Sequence, residues 1–368
     1  MRVLLCGGGT AGHVIPAIAI AEIIEKSFKG SAIAFAGRKD GPENSAYLKS
    51  GRRLYTIDIQ GISRSLTINN VKSIFKLIKS GRMARNIIHN FNPDIIIGTG
   101  GYVCYPFIKE GQRMKIKTVI HESNVAPGLV TRILGKKCDL VLLNLEGTKK
   151  NLNNVQNALV VGNPTRKSFD SLTKDEARKK LRIPDGKKVI VSFGGSLGAD
   201  LINKTVAAMI TQHTLNNKEI YHIHATGKLH FDKIKQEYPE LFKNQSNLMI
   251  VPYIEDMPTV LTAADLAITR SGAMTISELA RSSTPSILIP SPNVTANHQY
   301  FNAAYMKNIG ASVLIEEKDL SVDGLKNEVL KIISNPKKSA EMASKAKIAY
   351  IEETDVLIAN ALKKLIKR

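Results

Sequence analysis

Residues 1–16, MRVLLCGGGTAGHVIP, run from an apolar stretch at 3–5 into a glycine-rich turn and then directly to a histidine. Gly7, Gly9 and Gly12 have the G-x-G-x-x-G spacing by which a chain turns tightly from a buried strand into a helix, bringing backbone N–H groups close to a phosphate. Working outward, the strings SAIAFAG (31–37), PDIIIGTGGY (93–102), KTVIHES (117–123), CDLVLLN (138–144) and ALVVGNP (158–164) are short apolar runs separated by helical stretches. Such runs are expected of a parallel sheet buried on both faces. The pattern then restarts: after a polar, charged stretch at 165–187, KKVIVSFGGSLGA (187–199) repeats the strand, glycine turn and helix, followed by EIYHIHATG, NLMIVPYI, ADLAITRSG and PSILIPSP. The sequence therefore predicts an α/β protein of two doubly wound domains joined near Gly162-Asn163-Pro164.

The 368 residues exceed what one hydrophobic core usually holds, which agrees with two domains. Hydrophobic residues make up 43% with no run of about 18 apolar positions, so no membrane-spanning helix is expected. The chain starts in a strand with no basic, then apolar, then cleavable leader, and a cytosolic protein is expected. Cys6, Cys104 and Cys138 fit no zinc or redox spacing and read as reduced core thiols. The formal charge is +20, and residues 1–163 carry 23 basic against 10 acidic side chains, +13. Such an excess favours an anionic partner. Nucleic acid fits poorly, because aromatic residues are 5%, Trp is absent and no RNA-binding signature is present.

A glycine turn alone also suits a dinucleotide-dependent oxidoreductase. An NAD site wants an acidic residue after the second strand; here stands Arg38, which suits a 2′-phosphate and leaves an NADP enzyme open. Other loops at the expected carboxyl ends of strands are unusual: GTGGY (98–102), HESNVAPG (121–128), GNPTR (162–166), GGSLGA (194–199), RSGAMTISE (270–278) and NHQYFNA (297–303).

Taken together and in this order, these six strings resemble the MurG family of glycosyltransferases, from residue 3 to about 310. The resemblance implies the GT-B architecture: two Rossmann-like domains facing across a cleft, residues 1–163 plus 346–368 for the acceptor and the membrane, residues 164–345 for the UDP-sugar. It implies inverting transfer of N-acetylglucosamine from UDP-N-acetylglucosamine to the 4-hydroxyl of N-acetylmuramyl-pentapeptide on undecaprenyl diphosphate. The implied location is the cytoplasmic face of the cell membrane, held peripherally, with other cell-wall synthesis proteins as further partners and no nucleic acid.

The resemblance assigns the donor to Thr10, Ala11, Gly12, Asn124, Arg166, Ser196, Ile254, Ala273, Met274, Glu278 and Gln299. Ser196 and its backbone are read as opening a helix onto a diphosphate, Arg166 as a guanidinium for phosphate oxygens, or as a solvated linker side chain. Glu278 is read as the acceptor of the ribose hydroxyls, or as an i,i+3 partner of Arg281. Ile254 matches a backbone contact to uracil, Asn124 and Gln299 contacts to the sugar. Gly9, Gly100, Gly101 and Tyr102 fall to the acceptor diphosphate.

His13 stands in the first turn after Gly12. Histidine, with an unperturbed pKa of about 6.5, suits general-base work on an attacking hydroxyl; a hydrogen-bond donor that positions the substrate, or a structural cap, are the other readings. His121-Glu122 has Val125 where a metal helix would place its second histidine, and no Asp-x-Asp motif follows a strand, so neither metal nor cofactor is expected. Residues 71–91 combine Ile74, Phe75 and Ile78 with Lys72, Lys76 and Lys79. A basic apolar helix of this kind suits an anionic membrane surface, or ordinary packing on the sheet. From about 340 the chain reads as helix without chemistry.

Overall fold

The computed structural model describes every residue except 60–67, 154, 166–168, 170, 171, 244 and 368, and only the backbone of 11 and 68–78. The chain forms two compact units, Met1–Thr165 with Ile351–Arg368, and Arg166–Tyr350.

In the first unit, β1 (Arg2–Cys6), β2 (Ala32–Arg38), β3 (Arg53–Ile57), β4 (Ile95–Gly98), β5 (Lys117–Glu122), β6 (Leu140–Leu143) and β7 (Ala158–Val160) form one sheet in the order β3-β2-β1-β4-β5-β6-β7. Every pairing is parallel. Side-chain alternation explains the unbroken apolar run of β1. Val3 and Leu5 pack on one face with Ala17, Ile20 and Ile24 of the Ala11–Ser27 helix, while Leu4 and Cys6 pack on the other with Ile88 and Phe107. The second unit repeats the plan with β8 (Lys188–Phe193), β9 (Ile220–Ala225), β10 (Leu248–Val251), β11 (Leu266–Thr269), β12 (Ser286–Leu288) and β13 (Ser312–Leu314), ordered β10-β9-β8-β11-β12-β13 and again parallel. The order reverses between β1 and β4 and between β8 and β11, and ligands of such sheets bind outside the carboxyl ends of strands at these switch points.

The carboxyl-terminal region is not the continuous helix expected from 340. Helices Pro336–Ile348 and Thr354–Ile366 are separated by a break in which Glu353 takes a left-handed conformation, φ 55°. Residues 346–350 stay with the second unit, where Tyr350 lies against the Arg281 guanidinium. From Ile351 the chain rejoins the first unit, and Ile358, Leu362 and Leu365 close the core over the Ala11–Ser27 helix. Gly162, φ +83°, is needed at this crossing, since a Cβ there would lie 2.5 Å from the Thr354 hydroxyl.

Beneath the 194–198 turn, the Ser192 hydroxyl is shared by His222 Nε2 at 2.8 Å and His224 Nδ1 at 2.7 Å, all three fully buried. Burial disfavours the imidazolium, holding His222 well below the usual histidine range and His224 down at about 4. An unfolded chain protonates these rings near 6.5, so it binds more protons than the folded one below that pH. Their contribution is full above pH 6.5 and is lost as pH falls from 6.5 towards 4, by about 1.4 kcal/mol per pH unit for each ring. Urea unfolding at pH 7 and pH 5 should show a steeper loss for the wild type than for His224→Asn, and equal losses would contradict the burial of neutral rings.

Candidate active site

The loops after β1 and β4, neighbours at the first switch point, enclose His13. The Gly8 N–H donates to the Gly100 carbonyl at 3.3 Å, and the Thr99 hydroxyl donates to the His13 carbonyl at 2.8 Å. His13 Nδ1 lies 2.9 Å from the Gly8 carbonyl and 3.3 Å from Thr10 Oγ1. A carbonyl can only accept, so Nδ1 carries a proton, and in the neutral form of this ring Nε2 is the basic nitrogen. Gly100 and Gly101 have φ of +120° and +80°. A Cβ on Gly100 would overlap the His13 ring, and one on Gly101 would overlap the Gly8 carbonyl oxygen. The two glycines assigned to a diphosphate are thus required first by the histidine and the loop that holds it. Gly12 differs, because a Cβ there would meet only Thr10 Oγ1, at 3.6 Å, so packing does not demand this glycine. Thr10 is the N-cap of the Ala11–Ser27 helix, with no side-chain cap, and Gly9 and Thr10 are exposed.

Sequence reasoning missed Glu43. It is 3% exposed, and its carboxylate accepts the Gly9 N–H at 3.2 Å and the Arg38 N–H at 2.9 Å. Its cage comes from Gly8, Gly37 and Gly41, where added Cβ atoms would crowd the side chain; only the fold brings these together, and no spacing in the sequence announces them. Arg38, weighed for a 2′-phosphate, donates from Nη1 to the Tyr102 hydroxyl at 3.1 Å and from Nη2 to the Asp40 carbonyl at 3.2 Å. Arg38 and Tyr102 line a small recess together with Gly8, Gly9, Glu43 and Val103. A carboxylate on the loop N–H that a dinucleotide phosphate would use speaks against the NADP reading.

After β5, the buried Glu122 accepts from the Asn124 and Gly128 N–H groups at 3.1 and 2.8 Å and from the Thr131 hydroxyl at 2.7 Å, so it sets the loop that carries Asn124. His121 Nε2 donates to the Gly162 carbonyl at 3.1 Å, and burial lowers its pKa, which makes it a neutral structural ring.

In the second unit the turns after β11 and β12 share a corner. The Ser271 hydroxyl donates to the Gln299 carbonyl at 2.8 Å, the Ser291 N–H donates to Gln299 Oε1 at 2.9 Å, and Asn302 Nδ2 donates to the Ser271 carbonyl at 3.1 Å. Ala273 and Met274 open the Ala273–Arg281 helix, whose N-cap is Gly272 without a side-chain cap, and Glu278 follows on the same helix. Arg281 stacks its guanidinium near the rings of Phe169 and Tyr350. Arg270, also missed, donates to the Ile289 and Pro290 carbonyls and pairs with Glu317 at 2.8 Å, fixing the loops beside Gln299. Ser196 does not cap a helix. It is exposed in the turn ahead of N-cap Ala199, and the helix Asp200–Met209 starts with a carboxylate that Lys233 and Lys204 neutralise. The turn keeps its shape because Gly198 and Gly227 let two backbones touch. Ile254 is buried after the edge strand β10, away from the β11 and β12 corner in the strand order. Arg166 and the side chains of Lys72, Ile74, Phe75, Lys76 and Ile78 lie outside the described residues; Lys79 is exposed. Among the described residues no cluster of metal-ligating groups forms.

Both halves match glycosyltransferase family 28, its N-terminal domain over residues 3–143 and its C-terminal domain over 189–360, which defines the class as a two-domain glycosyltransferase. The chain is 39% identical over 367 residues to the UDP-N-acetylglucosamine–N-acetylmuramyl-(pentapeptide) pyrophosphoryl-undecaprenol N-acetylglucosamine transferase of Acetivibrio thermocellus, covering 100% of this chain and 99% of that one. A protein of the same name from Thermoanaerobacter sp. is 38% identical over 369 residues, covering 100% and 99%. The chain belongs to this family of N-acetylglucosamine transferases. The crystal structure of Acinetobacter baumannii MurG shares the fold, with a TM-score of 0.79 at 24% identity over 99% of both chains.

The two kinds of glycine should separate on mutation. Gly12→Ala is expected to leave the melting temperature within about 2 °C, because its Cβ makes only an ordinary van der Waals contact with Thr10 Oγ1. Gly101→Ala, with a strained φ and a carbonyl in the way, is expected to cost about 2 kcal/mol or more. Calorimetry that ranks them the other way would contradict this account of the loops.

Proposed function

We propose that the protein moves N-acetylglucosamine from UDP-N-acetylglucosamine to the 4-hydroxyl of N-acetylmuramyl-pentapeptide-diphospho-undecaprenol, lipid I to lipid II in peptidoglycan synthesis, with inversion. The observation that carries the mechanism is His13, held by Gly8 in the tautomer whose Nε2 can accept a proton. Nε2 takes the hydroxyl proton as the oxygen bonds to the anomeric carbon. The bond from that carbon to UDP breaks, its electron pair leaving on the β-phosphate, and one displacement turns an α-linked donor into a β-linked product.

The first unit takes the lipid-linked acceptor, with Gly9, Gly100, Gly101 and Tyr102 at its diphosphate. The second unit takes most of the donor: Glu278 at the ribose hydroxyls, Gln299 at the sugar, Ile254 at uracil, Ser196 and Arg166 at the diphosphate; in the first unit Thr10, Ala11, Gly12 and Asn124 are the residues assigned to the donor, Asn124 to its sugar. The start of the Ala273–Arg281 helix, at Ala273 and Met274, supplies a field worth about 1 kcal/mol to the departing UDP. No metal or cofactor enters this reading. Among the described residues no helix is long and apolar enough to cross a membrane. The protein acts as a peripheral enzyme on the cytoplasmic face, held by the basic, apolar helix Ile68–Phe91 and near other cell-wall synthesis proteins. In that helix Arg85 turns its charge to the buried Glu110, at 2.8 Å, leaving lipid contact to Lys72, Lys76, Lys79, Ile74, Phe75 and Ile78.

His13→Ala is expected to lower turnover at least about a hundredfold with UDP affinity unchanged, and His13→Asn or His13→Gln to be no better. Substantial activity in either amide variant would reduce His13 to a positioning group. Glu278→Ala should raise the KM for the donor more than it lowers kcat, and an unchanged KM would remove Glu278 from the ribose. Phe75→Asp with Lys76→Glu should weaken co-sedimentation with anionic vesicles; undiminished binding would place the membrane contact elsewhere.

A further inference from the structure

The segment 43–47 grips the glycine loop twice. The Tyr47 hydroxyl, fully buried and stacked on Phe35, donates to the Gly7 carbonyl at 2.9 Å. Glu43 accepts the Gly9 N–H at 3.2 Å. The peptide unit between Gly8 and Gly9 is therefore bonded at both ends: its carbonyl accepts from His13 Nδ1 at 2.9 Å, and its N–H donates to the Glu43 carboxylate. The geometry points to Glu43 as the orienting carboxylate of His13, acting through the Gly8–Gly9 peptide rather than by direct contact. An amide whose N–H donates to an anion becomes a stronger acceptor at its carbonyl, because hydrogen bonds in a chain polarise one another. The carboxylate thereby favours the Nδ1–H tautomer, keeps the lone pair on Nε2 and stabilises the imidazolium that forms once the proton is taken, as a directly bonded aspartate does in a Ser-His-Asp triad.

The inference rests on His13 being the base of the transfer. It makes Glu43 a positioning residue, since its carboxylate touches neither substrate. The arrangement accounts for three further glycines: Gly8, Gly37 and Gly41 leave room for this side chain, and a Cβ on any of them would press on it. The titratable and charged groups around it are Arg38, which gives Glu43 its backbone N–H and turns its guanidinium to Tyr102 and Asp40, then Tyr47, and the buried thiols of Cys6 and Cys104 below. Burial pushes the Tyr47 phenol and the Cys6 thiol upward, so these two do not titrate where a histidine does.

The test is Glu43→Gln in the full-length protein, read by ¹⁵N resonances of the His13 ring, by the pH dependence of kcat/KM and by UDP binding. The wild-type ring should be the Nδ1–H tautomer. In Glu43→Gln the tautomers should mix and the His13 pKa should fall by about half a unit or more, since a nearby anion no longer favours the imidazolium. The acid limb of kcat/KM should move to lower pH with it, and kcat should drop roughly tenfold, a fraction of what a general base supplies, with UDP affinity intact. A merely structural glutamate would change melting temperature and leave the ring's tautomer and titration alone, which overturns the inference. An Nε2–H tautomer in the wild type overturns it as well, and that measurement stands even if Glu43→Gln does not fold. If instead the ring responds to Glu43→Gln while His13→Asn stays active, the coupling is real and the base assignment is what fails.

Discussion

The hydrogen bond from His13 Nδ1 to the Gly8 carbonyl, 2.9 Å long, is the constraint around which the first switch point is built. It requires the loop after β1 to turn its carbonyl towards the helix it has just started. That conformation requires Gly100 and Gly101 on the neighbouring loop, because any side chain there would occupy the space of the ring or of the carbonyl. The strand order brings these two loops side by side: β1 and β4 are adjacent although about ninety residues separate them. A glycine turn that in a dinucleotide enzyme would offer its amides to a phosphate has here committed one of them to Glu43. What it gains is a fixed imidazole at the carboxyl end of a parallel sheet.

Much of the fold was legible because buried parallel strands are apolar at most positions, and eleven of the thirteen strands among the described residues fall in runs that the sequence marks out. The two that escape have physical reasons. In β3, RLYTI, polar and apolar residues mix at the edge of the sheet, and β13, SVL, is an edge strand that runs directly into the charged stretch IEEKD. The break between the last two helices was equally hidden, since 349–353 contain neither glycine nor proline and the left-handed residue there is a glutamate. Tertiary packing decides that point: Tyr350 is held by Arg281, while the chain beyond must reach the crossing at Gly162.

The candidate site was legible to the extent that its chemistry sits in short strings. GGGTAGH and RSGAMTISE carry histidine, glycines and glutamate in local order, and the structure places each string across one turn and the start of the helix that follows it. Glu43 and Arg270 went unread because their roles depend on partners far away in sequence, Gly9 for the first, Glu317 and two carbonyls for the second; Glu122 went unread although its partners Gly128 and Thr131 lie within nine residues, because the loop shape that brings them to it is not written in HESNVAPG. Each is a charged group spent on shaping a loop, which a surface residue in a sequence does not advertise. Ser196 shows the converse. Its string suggests a helix cap, yet the helix starts later, at Asp200, since Gly198 must first bring the turn against Gly227.

The central claim is that the imidazole of His13 removes the acceptor proton during sugar transfer. Single-turnover transfer from UDP-N-acetylglucosamine to the lipid-linked acceptor, followed against pH in the wild type and in His13→Ala, tests it most directly. The account predicts that the wild-type rate rises through one deprotonation to a plateau and that His13→Ala loses both the plateau and the limb. A limb of the same midpoint persisting in His13→Ala would show that another group takes the proton.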